Sequence, residues 1–172
     1  MFDFHSKLFG EDEDLTIEIL SPIEGEVVPL SQVTDPTFSQ EILGPGVAIK
    51  PHKGRVVSPV KGMVNQVFKT NHAVVLTSED GAEILIHIGI DTVKLNGQHF
   101  ERKAIDGAQV NVGDVLVEFN EKAIGLAGYD TVVPIIICNS DKYEQFHGHT
   151  GGIVKEREAV MSFKRKGARE EF

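Results

Sequence analysis

One short phrase of this sequence occurs twice. Ser21-Pro22-Ile23-Glu24-Gly25-Glu26-Val27 returns 37 residues on as Ser58-Pro59-Val60-Lys61-Gly62-Met63-Val64. Each Pro-x-x-Gly reads as a turn that feeds a strand, because proline presets φ and glycine opens backbone conformations that other residues avoid. A third turn-then-strand segment is Gly113-Asp114-Val115-Leu116-Val117-Glu118-Phe119. From Leu15 onward helical periodicity is scarce. Strand-like runs between Gly/Pro turns recur roughly every eight to twelve residues, as in sandwiches and barrels. The expectation is all-β: a compact antiparallel β-sandwich or barrel-like hybrid with internal pseudo-symmetry and a few short helical turns.

Within that frame, two apolar runs flank Ser78-Glu79-Asp80-Gly81, a hairpin signal ending in Asp-Gly. The first run, 68–77, carries His72; the second, 83–92, carries His87. Strand alternation points Ile84, Ile86, Ile88 and Ile90 one way and Leu85, His87 and Gly89 the other. If all four connecting residues form the loop, His72 pairs directly with His87. If only Asp80-Gly81 does, the two are diagonal neighbours. Both registers leave the rings on one face, with directly opposed Cβ atoms about 4.5–5.5 Å apart.

The chain of 172 residues suits one domain with a full core. Its net charge of −9 argues against nucleic acid as the main partner and leaves basic proteins open. Cys138 is alone, so no internal disulfide forms. Its apolar run, Ile135-Ile136-Ile137-Cys138, reads as a strand in which the thiol is a small buried hydrophobe. The apolar strand is expected over 131–139, with Pro134 demoting its middle to an edge or a bulge. No signal peptide or membrane-spanning run is visible, so the expected location is cytoplasmic.

Residues 1–14 read as a flexible N-terminal segment, in which Phe2, Phe4, Leu8 and Phe9 would form one side of a short helix, followed by the acidic linker Glu11-Asp12-Glu13-Asp14. Residues 15–164 are the folded domain and 165–172 a solvated tail. Residues 31–43 read as loop with one helical turn, carrying Asp35 and Phe38. Gly44-Pro45-Gly46 is not a phosphate loop, since no Gly-Lys-Ser/Thr follows and the next residues are strand-like. A short helix is expected over 121–128.

Three chemistries come into question for such residues, and the sequence serves them unequally. His72 and His87 offer two zinc ligands, but a zinc site needs three or four, so Asp35, Asp91 or a partner would have to complete it. His147 and His149 are a second pair at ligand spacing, yet no His-Glu-x-x-His accompanies them. Nucleophilic hydrolysis lacks a Gly-x-Ser-x-Gly elbow and a base for Cys138. Phosphoryl transfer through histidine asks only for a neutral imidazole with one nitrogen tied up and a donor beside it. Thr70, two residues before His72, is a hydroxyl suited to fixing that ring's tautomer.

At Thr70-Asn71-His72-Ala73 and His87-Ile88-Gly89-Ile90-Asp91-Thr92 the chain resembles the glucose-type enzyme IIA of the bacterial phosphoenolpyruvate–sugar phosphotransferase system. The resemblance runs from about residue 15 to about 164 and includes Ser21-Pro22-Ile23-Glu24-Gly25, Gly46-Val47-Ala48-Ile49-Lys50-Pro51 and Val112-Gly113-Asp114. It implies a small antiparallel β-sandwich, a phosphotransferase that takes phosphate from the phosphocarrier HPr and passes it to a cysteine of a sugar-specific enzyme IIB or IIBC at the membrane. His87 matches the phosphorylated residue, His72 the ring that stabilises the phosphoryl group, and Thr70 its hydrogen-bonding threonine. Asp35 and Asp91 match acidic residues that meet HPr, while Phe38, Phe68 and Leu85 would form an apolar docking collar. Pro36-Thr37 replace the two valines expected before Phe38, which makes that collar more polar. No cofactor is required, although zinc could be shared with a partner at His72 and His87. The alternative is a regulatory module whose phosphorylation controls its binding to permeases or metabolic kinases.

Overall fold

The computed structural model describes residues 16–167. Its strands are β1 (Thr16–Leu20), β2 (Gly25–Pro29), β3 (Gly46–Pro51), β4 (Arg55–Val57), β5 (Gly62–Val67), β6 (Ala73–Ser78), β7 (Glu83–His87), β8 (Phe100–Arg102), β9 (Gln109–Val110), β10 (Val115–Phe119), β11 (Val133–Ile137), β12 (Tyr143–Gly148), β13 (Ile153–Val154) and β14 (Ala159–Arg165). Two short helices join them, α1 (Pro36–Ser39) and α2 (Glu121–Leu126). The expected all-β sandwich with a few helical turns is what forms. An eight-stranded antiparallel sheet, β13-β2-β3-β11-β7-β6-β5-β9, is faced by two three-stranded sheets, β1-β14-β12 and β4-β10-β8.

The pseudo-symmetry anticipated from the repeated phrase extends through the whole topology. A two-fold between β7 and β11 exchanges β2 with β5, β3 with β6, β13 with β9, and one three-stranded sheet with the other. Ser21 and Ser58 are both fully buried, and each hydroxyl donates to the carbonyl two residues on, at 2.6 and 2.7 Å. The two turns also grip each other reciprocally: Leu20 N–H donates to Pro59 O and Val57 N–H to Pro22 O. Gly25 and Gly62 are each required by close approach, since a Cβ would stand 2.1 Å from the carbonyl oxygen of Lys50 or Thr77.

Alternation along the central strands divides the core. Val27, Ile49, Ile84, Ile86, Ile135 and Ile137 face the two small sheets in the main cluster. Val28, Ala48, Leu85 and Ile136 face the opposite way, into a second cluster closed by Leu30, Val33 and Phe38 from the excursion between β2 and β3. Because the sheet centre is covered on both sides, its strands read as unbroken apolar runs. Burying a side chain of this kind contributes about 1.5–3 kcal/mol.

Several local expectations are corrected. Pro134 lies in a central strand, paired with Ala48, and not at an edge; pairing of β11 with β7 begins only at Ile135, so the missing N–H falls before that ladder starts. Cys138 is exposed, one residue past the end of β11. Partial desolvation of its sulfur by the surrounding chain, then the Glu83 carboxylate, raises its thiol pKa, so it has no activated thiolate. Ile90 belongs to the second cluster and not with Ile84, Ile86 and Ile88, because β7 ends at His87 and Gly89 takes φ +81°, which resets the alternation. The short helix considered at the N-terminus lies outside the described residues.

Candidate functional site

The hairpin register differs by one residue from both expected alternatives. Ala73 pairs with His87 and Thr77 with Glu83, so the connection is three residues, closed by Ser78 N–H donating to Ala82 O. In a continuous strand this register would put His72 and His87 on opposite faces. They meet because β6 begins only at Ala73, and residues 68–72 form a turn instead of the strand expected there. Asn71 N–H donates to Phe68 O at 2.7 Å, and Asn71 is left-handed at φ +60°, a conformation that asparagine tolerates well. The turn swings His72 over the end of β7, and the ring centroids stand 4.9 Å apart at 83°.

Each ring has one nitrogen held. Nδ1 of His87 lies 2.7 Å from the carbonyl oxygen of Gly89, so Nδ1 carries the proton and Nε2 keeps a lone pair. Nδ1 of His72 lies 2.6 Å from Oγ1 of Thr70. A hydroxyl donating to that nitrogen leaves the His72 proton on Nε2, as a donor. Gly89 is held in turn: Thr92, fully buried, donates its hydroxyl to Ile88 O, and Ile90 N–H donates to Asp130 O.

Both rings are kept neutral. Burial pushes the His72 pKa down to about 4, and the charge of His87 adds to the effect. Burial also lowers the His87 pKa; the Gly89 carbonyl and the Asp35 and Asp91 carboxylates act against it without restoring the ordinary value. Asp35 is half-buried and caps α1, accepting Thr37 N–H at 2.9 Å, with Pro36 at the first helical position where it has no N–H to lose. Asp91 is exposed and left-handed, at φ +61°.

The apolar residues expected near the pair gather there. Phe38, 4% exposed, sets its ring 5.1 Å from that of His87, and Phe68 meets His72 edge-on at 5.6 Å. Leu85 is buried beside Phe38 in the second cluster. Sequence reasoning missed the Gly89 carbonyl as the group that selects the His87 tautomer; strand alternation placed Gly89 only on the His87 side. It missed Val28, Leu30, Val33 and Val132 as floor, since their face depends on the excursion that covers them. His147, on β12 in a different sheet, and His149, just past its end, pair with each other at 5.7 Å. Among the described residues no group of three or more His, Cys, Asp or Glu is placed to hold a metal ion. No helix there is long and apolar enough to cross a membrane.

At the two-fold-related position there is no second site. Ile136 pairs with Gly46 as His87 pairs with Ala73, so an isoleucine stands where His87 does, and Gly44 and Pro45 precede β3 where the His72 turn precedes β6. The symmetry holds in the scaffold and is broken at the histidines.

Comparison with known proteins bears on the family. Residues 17–143 match the family model described as phosphoenolpyruvate-dependent sugar phosphotransferase system, EIIA 1. The glucose-specific EIIA component of Oceanobacillus iheyensis is 46% identical over 135 residues, covering 78% of this chain and 82% of that protein. The β-glucoside-specific EIIBCA component of Bacillus subtilis is 49% identical over 144 residues, 84% of this chain, but the chain spans only 24% of that longer protein. The solved glucose permease IIA from Mycoplasma capricolum superposes with a TM-score of 0.79 at 33% identity, covering 86% of this chain and 95% of that one. A family model over most of the chain, a relative of similar length and a shared fold agree: the chain belongs to the EIIA 1 family of the phosphoenolpyruvate-dependent sugar phosphotransferase system.

Proposed function

We propose that the chain is a cytoplasmic phosphocarrier that accepts a phosphoryl group on Nε2 of His87 from phospho-HPr and passes it to a cysteine of a sugar-specific enzyme IIB. The observation that carries this reading is the pair of rings at 4.9 Å with each Nδ1 already engaged. Nε2 of neutral His87 attacks phosphorus as the N–P bond of the incoming phosphohistidine breaks in line, and that bond's electron pair stays on the donor ring. His87 has no proton to lose, because its N–H is at Nδ1. The phosphorylated ring gains positive character, which the Gly89 carbonyl, Asp35 and Asp91 offset. His72, through Nε2–H, donates to a phosphoryl oxygen and stabilises a transition state whose charge is spread over those oxygens. In the onward step a thiolate sulfur attacks phosphorus, and the N–P pair returns to Nε2.

Phe38, Phe68 and Leu85 would exclude water while a partner docks, which protects the N–P bond from hydrolysis. Asp35 and Asp91 would meet basic groups of HPr. A zinc ion shared with a partner would find two ligands here, His72 and His87, with the remainder supplied by that partner. The test is labelling from phosphoenolpyruvate with enzyme I and HPr: His87→Ala should take up no label, and normal labelling of that variant ends the proposal.

A further inference from the structure

Arg102 stands on β8, in the layer beneath the large sheet, yet its guanidinium reaches the turn that carries Thr70 and His72. Nη2 donates to the carbonyl oxygens of Val67 at 2.9 Å and Phe68 at 3.2 Å, and Nε donates to Oδ1 of Asn71 at 3.2 Å. Nη1 lies 3.7 Å from Oδ1 of Asp106, which also accepts Val67 N–H at 2.8 Å. One planar group thus binds both ends of the turn, and Asp106 ties the same segment to the next connection. The backbone closes the turn through Asn71 N–H to Phe68 O and Phe68 N–H to Ala73 O, while Lys69 is exposed and Phe68, Thr70 and Asn71 are only half-buried. Conformation at Asn71 decides where His72 sits, just before β6, and whether Thr70 Oγ1 reaches its ring.

We propose that Arg102 is a positioning residue for the histidine pair, its guanidinium fork holding the turn so that Thr70 keeps the His72 ring in the tautomer and place that meet His87. The role rests on the phosphocarrier reading for its consequence in transfer, but its effect on His72 is measurable without any transfer. Arginine is needed because its donors diverge in one rigid plane; the ammonium of lysine offers three donors on a single atom and cannot span two carbonyls and an amide at once.

The test is Arg102→Lys in the full chain, which keeps the charge and removes the fork, read in two ways. Ring 15N signals of His72 should change from one tautomer, with Nδ1 unprotonated, to an average of two. The maximal rate of phosphorylation by phospho-HPr should fall about tenfold, while KM stays within about twofold because the docking collar is untouched. Wild-type-like ring signals, or a wild-type maximal rate, overturn the proposal, as does a change confined to KM. If Arg102→Lys does not fold, Asn71→Gly provides the same readings: glycine accepts the positive φ, and only the acceptor for Nε is lost. The expected drop is then about threefold in the same direction, and no change in the ring signals or the rate overturns the proposal. Labelling of His87→Ala would defeat the phosphocarrier reading, while the His72 ring signals would still report independently on the turn.

Discussion

The carbonyl oxygen of Gly89 lies 2.7 Å from Nδ1 of His87, two residues upstream, so the backbone itself selects which nitrogen of that ring is free. The contact exists because Gly89 takes φ +81°, where a Cβ would stand 2.5 Å from Cγ2 of Thr92 and 3.0 Å from Asp130 O. Gly89→Ala should therefore cost about 2–3 kcal/mol, combining left-handed strain with the close contacts. Urea denaturation checks the stability, and the rate of label uptake on His87 should fall with it. A variant with unchanged stability and rate would show that the loop absorbs the methyl group without moving the carbonyl.

Thr70 Oγ1 performs the corresponding task for His72, at 2.6 Å. Thr70→Ala should slow transfer about tenfold, in the range seen when a partner that orients a reactive ring is removed. Thr70→Ser, which keeps the hydroxyl, should recover most of that rate. Equal losses in the two variants would mean that the methyl group matters and the hydrogen bond does not.

The depressed histidines make stability depend on pH. The folded-state pKa of His72 is about 4 against an ordinary 6.5, and His87 is shifted in the same direction. Between those values the unfolded chain takes up protons that the folded chain refuses, so stability rises with pH in that window. The contribution is fully present above about 6.5 and disappears as pH falls to about 4. For His72 it amounts to about 3 kcal/mol. Urea titrations from pH 7 to 4.5 should show a shallower decline for His72→Gln than for wild type; parallel curves would place the titrating groups elsewhere.

How legible this was depended on whether the deciding interactions were local. The turns at Ser21 and Ser58 could be read because proline, glycine and a buried hydroxyl act within a few residues. The histidine pair was found, but through the wrong geometry. The hairpin has an intermediate loop length, and the turn at Asn71 compensates for the resulting change of face. Ile90 was misplaced because one positive φ at Gly89 reverses the alternation that every later assignment in the run assumes. Cys138 and Pro134 were misjudged because apolar composition says nothing about where a strand ends or which neighbours flank it. The Arg102 bonds were invisible, since they join residues 31 to 35 positions apart across two layers.

The reciprocal turns give a test of the scaffold separate from the chemistry. Removing the hydroxyl of Ser21 or Ser58 leaves a buried carbonyl, of Ile23 or Val60, without its donor. Each Ser→Ala variant should lose about 1–3 kcal/mol, and the two losses should be similar because the environments are related by the two-fold. They should not add. Leu20 N–H to Pro59 O and Val57 N–H to Pro22 O bind each turn to the other, so loosening one already weakens what the second holds. The double variant should fall short of the summed losses by at least about 0.5 kcal/mol in a thermal or urea cycle. Strict additivity would mean that the turns fold as independent units and that their reciprocal bonds contribute nothing to cooperation between the halves.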